Sequence, residues 1–424
     1  MRRRDFLTGT VAATAAASTG LMLASRPVQA ATAAPTGLAG LASMTADAKP
    51  ISVNERLARI AKLQRLMVDQ KIGALILESG SSLDYFTGIQ WHRSERTTAA
   101  VIPARGDIVV VTPAFEEPSI RETLAVNGDV QPWNEHESPF ARLVGALHDR
   151  GVTSGPIAFE ATTRLFIVDG VRDASGGAYR VVSGDALVKA VRLIKSPAEL
   201  ALMQIANDVT LAALRYVHGN VRGGMRPDEI AAMMNAATVA LGGAPEFALV
   251  LINEASAYPH GSRQPQTLHE GSVILMDVGC TVHGYQSDIS RTWVTGQPTA
   301  KQRKVWDTVK RGQEIALSTA KLGTPVGAID DAVRAYYEKE GWGPGYHLPG
   351  LPHRTGHGIG LDGHEPPYLV HGDATPLAPG MCFSDEPGLY IPGEFGIRLE
   401  DCWHMTEAGP KLFTGLAKSI EDPI

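Results

Sequence analysis

Histidine and glycine crowd one stretch of the chain: His353, then Gly356-His357-Gly358-Ile359-Gly360, then His364-Glu365-Pro366-Pro367. Glycine costs order in a strand or helix, so three in five residues mark a backbone shape that the chain must adopt. With no side chains beside it, the ring of His357 can meet something that approaches closely, such as a metal ion. A histidine taken singly is more often a satisfied structural residue than a ligand. The cluster, and the acids elsewhere in the chain, favour the ligand.

Those acids are Asp277, Asp288, Glu386 in Ser384-Asp385-Glu386-Pro387-Gly388, and Glu400 in Gly396-Ile397-Arg398-Leu399-Glu400. One acid at a strand end usually faces solvent. Asp277 and Glu400, however, follow apolar neighbours that belong inside, and carboxylates aimed into such a region repel each other unless a cation sits among them. Four carboxylates and one imidazole form an oxygen-rich set, which disfavours a structural zinc and suits a pair of divalent ions. The set favours Mn²⁺, with Co²⁺ or Zn²⁺ as alternatives. Two such ions about 3.5–4 Å apart share a bridging water and lower its pKa.

The elements that must position these residues follow from local patterning. Val273 to Gly279 reads as a strand carrying Asp277 near its end, Thr281 to Gly284 as a turn, and Tyr285 to Val294 as a returning strand with Asp288; such a hairpin brings the two aspartates together. Pro and Gly crowd 341–367, which predicts a long ordered loop. Ser196-Pro197-Ala198-Glu199 is a helix start, with a serine cap, proline at the first helical position and a glutamate three after the cap. Further helices are expected near 227–241, 299–320 and 325–340. Upstream, the apolar face of Val53 to Gln70 predicts a helix, Ala74 to Leu77 a buried strand, and Pro139 to Arg150 another helix. Strand and helix alternate there, as in an α/β domain. The fold class is therefore α/β (α+β), with one domain over 51–190 and a second over 195–424.

The amino terminus has its own character. Arg3-Arg4-Asp5-Phe6-Leu7, the alanine-rich run to Ala24 and Val28-Gln29-Ala30 resemble a twin-arginine export signal with its cleavage site. Residues 1–30 are expected as a signal peptide and 31–50 as a flexible leader, with a periplasmic or secreted product. The apolar run is short of the ~20 residues of a membrane span. A net charge of −6 argues against nucleic acid as a partner. Cys280, Cys382 and Cys402 are too few for a disulfide framework.

Asp277, Asp288 in Ser287-Asp288-Ile289-Ser290-Arg291-Thr292, His357, Glu386 and Glu400 occur in the order seen in the pita-bread metallopeptidases, which this chain resembles over about 195–415. Residues 53–185 resemble, more loosely, the creatinase-like amino-terminal domain of the Xaa-Pro aminopeptidase and prolidase branch. The resemblance implies a dinuclear peptidase in which Asp277 binds one metal, Asp288 and Glu400 bridge both, and His357 and Glu386 complete the second. It implies attack by a metal-bound hydroxide whose proton Glu386 takes. His260 and His364 resemble the histidines that hydrogen-bond substrate and intermediate, and His353 an extra histidine of this branch. Arg398 resembles the arginine that helps hold the downstream proline residue or its carboxylate, the alternative being a salt bridge to a ligand acid. Tyr285 and Tyr390 are pocket residues or core packing. The implied substrate is a peptide with proline after the scissile bond, and the implied assembly a homodimer. Two other readings are a non-peptidase enzyme on the same metal site, such as a lyase or another amide hydrolase, and a non-catalytic binding protein.

Overall fold

A computed structural model describes residues 38–424. The export signal expected at 1–30, and the leader up to residue 37, lie outside the described residues. Residues 38–50, expected as flexible, are laid along the second half of the molecule instead. Met44 N donates to Leu241 O at 2.8 Å, and Leu38, Leu41 and Ala48 pack against the core that holds Ile51. Their apolar spacing fits neither a helix nor a strand, so periodicity could not reveal them.

The first half is built on a six-stranded mixed sheet. Its central strand, Ala74–Glu78, pairs antiparallel with Ala99–Pro103 and parallel with Gly155–Phe159. All five residues of that strand are buried. The helices Val53–Asp69 and Pro139–Asp149 bury Leu63 and Met67, and Leu143 and Leu147, in separate apolar clusters.

The second half opens at Pro197–Asn220, where Ser196 and Glu199 form the reciprocal capping box that the sequence predicts. Helices Pro227–Ala240, Ala300–Thr319 and Gly327–Lys339 surround its sheets. Strand Val273–Val282 is flanked by Ile289–Val294 and Ala244–Ile252. The expected hairpin is present, but its first strand runs on to Val282. The turn uses His283 and Gly284, both with positive φ (48° and 83°), the pair of left-handed residues that a tight hairpin twist requires. A five-stranded sheet contributes Gly356–Gly358, Glu365–Leu369, Cys382–Asp385 and Asp401–Thr406.

The stretch 341–367 is not all loop. Gly356–Gly358 is a short strand between Glu365–Leu369 and Cys382–Asp385. The glycines have a different reason from the one the sequence suggested. A Cβ on Gly356 would lie 2.3 Å from Ser384 O, and one on Gly358 2.3 Å from Glu365 O. They are small because neighbouring backbone presses on both sides, and only secondarily to free the imidazole.

Candidate active site

Asp277 stands opposite Ser290 across the hairpin, and Asp288 lies two residues from Ser290. The expected single strand Tyr285 to Val294 is broken between Tyr285–Gln286 and Ile289–Val294, and Asp288 lies in that break, from which its carboxylate comes within 4.8 Å of those of Asp277 and Glu400. Glu400 is fixed by its own N–H, which donates to Ser290 O at 3.0 Å, and its Oε2 accepts from Ser290 Oγ at 2.7 Å. His357 enters from the glycine-flanked strand. Its Nδ1 lies 3.0 Å from Gly358 O, a contact that assigns the proton to Nδ1 and leaves Nε2 as a bare acceptor. That nitrogen is 3.6 Å from Asp288 Oδ2 and 3.4 Å from Glu386 Oε1.

Three sets of ligand atoms converge within 4.8 Å: Asp277, Asp288 and Glu400; His357, Glu386 and Glu400; and Asp288, His357 and His364. Asp277 Oδ1, Asp288 Oδ1 and Glu400 Oε1 are buried with no hydrogen-bond partner. Buried polar atoms are ordinarily satisfied, so three unpartnered carboxylate oxygens at one point mark a place for cations. The residues fit a pair of divalent ions. Burial and mutual repulsion push Asp288 and Glu400 well above the usual carboxylate range, and burial raises Glu386 to about 7. Burial also lowers His357 to about 3, so its ring is neutral and able to ligate.

A cavity of about 440 Å³ opens over this cluster, lined by the five candidate ligands together with His260, His353, His364 and Arg398, but not by Tyr285 or Tyr390. His364 stacks on His357 with ring centroids 3.8 Å apart, and His260 is exposed at the mouth. His353 Nε2 meets Tyr390 Oη at 2.8 Å, and burial holds that ring at about 3, so it is neutral. A second cavity, of about 350 Å³, lies beyond His364 near Lys189, Arg192 and Tyr368. It lacks the converging unpartnered oxygens, and the chemistry assigns the site to the first.

For two residues the structure shows the second of the readings that the sequence left open. Arg398 does not wait for substrate: its Nη2 pairs with Asp277 Oδ2 at 2.5 Å, Nε donates to Ser290 Oγ at 2.9 Å, and Nη1 donates to Tyr390 Oη at 3.0 Å and Pro259 O at 3.3 Å. Four of its five N–H groups are thereby engaged, and it acts on a ligand acid. Tyr285 is not in the cavity. Its hydroxyl donates to Glu199 at 2.9 Å and accepts from Arg59 at 3.1 Å, joining the two halves. The apolar lining is Pro259, Leu348 and Pro352 instead.

Sequence reasoning missed Arg354, Leu348, Pro352 and Ser290. The first three sit in a proline-rich stretch with no period to read. What holds that stretch is Arg334, whose guanidinium donates to the carbonyls of Gly345 at 2.8 Å, Leu351 at 2.7 Å and His353 at 2.5 Å.

The comparisons with known proteins agree with this geometry. Residues 201–407 match metallopeptidase family M24, and residues 59–194 match the creatinase/prolidase N-terminal domain. An uncharacterised peptidase of Schizosaccharomyces pombe is 34% identical over 86% of this chain and 82% of its own length. An Xaa-Pro dipeptidase of Lactobacillus helveticus is 29% identical over 85% of this chain and 97% of its own. The crystal structure of a prolidase from Thermococcus sibiricus superposes with a TM-score of 0.79 at 26% identity, covering 87% of this chain and 98% of that one. The fold and the carboxylate–histidine site define a pita-bread metallopeptidase. The chain belongs to metallopeptidase family M24.

Proposed function

We propose that this protein hydrolyses Xaa-Pro bonds, as the names of its Lactobacillus and Thermococcus relatives indicate for those proteins. The observation that carries the reading is the convergence of three unpartnered carboxylate oxygens with His357 beneath one cavity. Asp277, Asp288, His357, Glu386 and Glu400 would hold two divalent cations. When bound, these supply Lewis acidity, acidifying a water and polarising the scissile carbonyl. The oxygen-rich donors favour Mn²⁺.

The chain's own residues do the rest. Glu386, which lies 3.4 Å from His357 at the floor of the cavity, would take a proton from the attacking water and pass it to the leaving nitrogen. His364 and His260 stand at the cavity as donors for the carbonyl oxygen and for the intermediate that follows. The imide nitrogen before proline carries no hydrogen, so a site that accepts this bond must bring its own donors. Pro259, Leu348 and Pro352 offer an apolar wall for the proline ring.

Hydrolysis of Ala-Pro and Ala-Ala by apo-protein reloaded with Mn²⁺, Co²⁺ or Zn²⁺ tests the reading. Cleavage of Ala-Pro with little of Ala-Ala is expected. Equal rates would remove the proline assignment, and inactivity on both with metals loaded would favour a non-peptidase enzyme. Export by the twin-arginine route is part of the same proposal, supported by Arg3-Arg4-Asp5-Phe6-Leu7. Replacing Arg3 and Arg4 by lysine in a bacterial host should hold the protein in the cytoplasm. A homodimer is supported by resemblance to this branch, and light scattering tests it.

A further inference from the structure

Asp385 and Asp401 are the chain neighbours of Glu386 and Glu400, yet neither lines the cavity. The two stand opposite each other where strands Cys382–Asp385 and Asp401–Thr406 pair, and opposed residues share a face of the sheet. Helix Ala300–Thr319 covers them, and from it Gln313 Nε2 donates to Asp401 Oδ2 at 3.0 Å and to Asp385 O at 3.4 Å. Both aspartates are fully buried. Asp401 is balanced: its Oδ1 accepts from Arg291 Nη2 at 2.6 Å and from Thr414 Oγ1 at 2.7 Å. Asp385 is not. Both its carboxylate oxygens lack a hydrogen-bond partner, and among the described residues no cation comes within ion-pair distance of it. Lys310, whose charge reaches it, sets its amine 3.9 Å from Glu314 instead.

Two further oxygens at this place are buried and unpartnered. Gln313 gives its Nε2 to the two strands and keeps Oε1 without a donor. Tyr337, on helix Gly327–Lys339, packs its hydroxyl against Gly312, where a Cβ would lie 2.4 Å from it. That hydroxyl has no partner either, and after burial it is the Asp385 charge that pushes the phenol up most.

We propose that Asp385, Gln313 and Tyr337 bind one monovalent alkali cation, Na⁺ or K⁺, between the sheet and the two helices. The donors decide the class. Two carboxylate oxygens, an amide oxygen and a phenol oxygen form an all-oxygen set, which suits a hard cation and offers no nitrogen or sulfur to a softer one. Charge decides the valence: Arg291 already neutralises Asp401, so one carboxylate is left over for one positive charge. A water would satisfy hydrogen bonds here but leave a dry anion without a counter-ion. The ion would be held behind the strand end that carries Glu386, where it stiffens the base of the divalent site without meeting substrate. The inference stands apart from the peptidase reading.

Thermal midpoints of Mn²⁺-loaded protein in NaCl, KCl and choline chloride at equal ionic strength test it. Wild type should melt about 2 °C or more higher in one of the alkali salts than in choline, with a saturating dependence on its concentration. Asp385→Asn keeps the shape, removes the charge and should lose the response. Tyr337→Phe removes one oxygen and should raise the half-saturating concentration about 3- to 10-fold. Equal wild-type midpoints in alkali and choline salts overturn the proposal, as does a response that survives in Asp385→Asn. Elemental analysis that finds a third divalent ion per chain, absent from Asp385→Asn, would also overturn it and give the place to the divalent metal. Should Asp385→Asn fail to fold, Tyr337→Phe decides, and an unchanged half-saturation there sinks the assignment.

Discussion

Two clusters of buried carboxylates lie on either side of His364 and are balanced in opposite ways. At the junction of the two halves, Glu365 accepts from Lys195 Nζ at 2.5 Å and Arg192 Nη2 at 2.8 Å. Arg192 also reaches Ser81, Ser82 and Asp362. Burial pushes the Glu365 carboxyl up, but the two cations outweigh it, and the group sits below its usual range. In the cavity, Asp288 and Glu400 are just as buried, and there burial and neighbouring acids push the same way. Both clusters face the same desolvation cost. The chain sets two cations against Glu365 where it builds a fixed joint, and only one, Arg398, among the four acids where a ligand must come.

Removing a bridging acid should have the largest effect. Asp288→Ala is expected to lower turnover on Ala-Pro by roughly 10³-fold or more, since metal polarisation contributes several kcal/mol at the transition state. Elemental analysis should show at least one ion lost per chain. A variant that keeps both ions and turns over normally would end the distinction between the two clusters.

Breaking the joint should be a stability effect. Glu365→Ala leaves Lys195 and Arg192 buried without an anion, a change that typically costs about 3–5 kcal/mol. Denaturant midpoints at fixed metal loading measure it. A midpoint unchanged from wild type would mean that the joint is solvated.

His364 stands between the clusters and touches both. His364→Ala should cost roughly 10²-fold in turnover, as loss of a transition-state donor does, with both metals retained. Metal loss in this variant would move His364 from donor to ligand, an alternative that its approach to Asp288 and His357 makes concrete.

The mildest contrast is in pH dependence. Glu386 is raised from 4.5 to about 7 in the fold. Protonation therefore favours the folded metal-free protein, and that contribution is lost as pH rises from 4.5 through about 7. Glu365 has the opposite sign: its folded value is lowered, so its contribution is present above 4.5 and lost as pH falls further. Chelated protein should lose thermal midpoint as pH rises across the upper window, and metal-loaded protein should not. Parallel profiles with and without metal would contradict the raised carboxyls.

Much of this was legible in the sequence. The capping box at Ser196 and Glu199 is a local signal, and the structure contains it unchanged. Asp277 and Glu400 could be read because each follows apolar residues that fix its direction inward, whereas Asp288 and Glu386 were legible only through the family's order of ligands. Arg398 was half legible. Its place two residues before Glu400 marked it for the site, but only the fold shows that Asp277 has taken its charge. Tyr285 was half legible in the same way: core packing was one of its two readings, but nothing near it in sequence announces Arg59, which arrives from 226 residues away. Arg354 was invisible because a charged residue in a proline-rich stretch normally points to water, and only tertiary packing lays it over Tyr368.

The joint around Glu365 also bears on how such proteins can diversify. Arg192 and Arg59 belong to the first half, and each ends on an acid of the second, Glu365 or Glu199. A chimera that replaced the amino-terminal half with an unrelated module would leave Glu199 without its cation and Glu365 with Lys195 alone. Exchanging the first half thus carries a stability cost that altering the loop 341–355, which lines the cavity through Leu348, Pro352 and Arg354, does not.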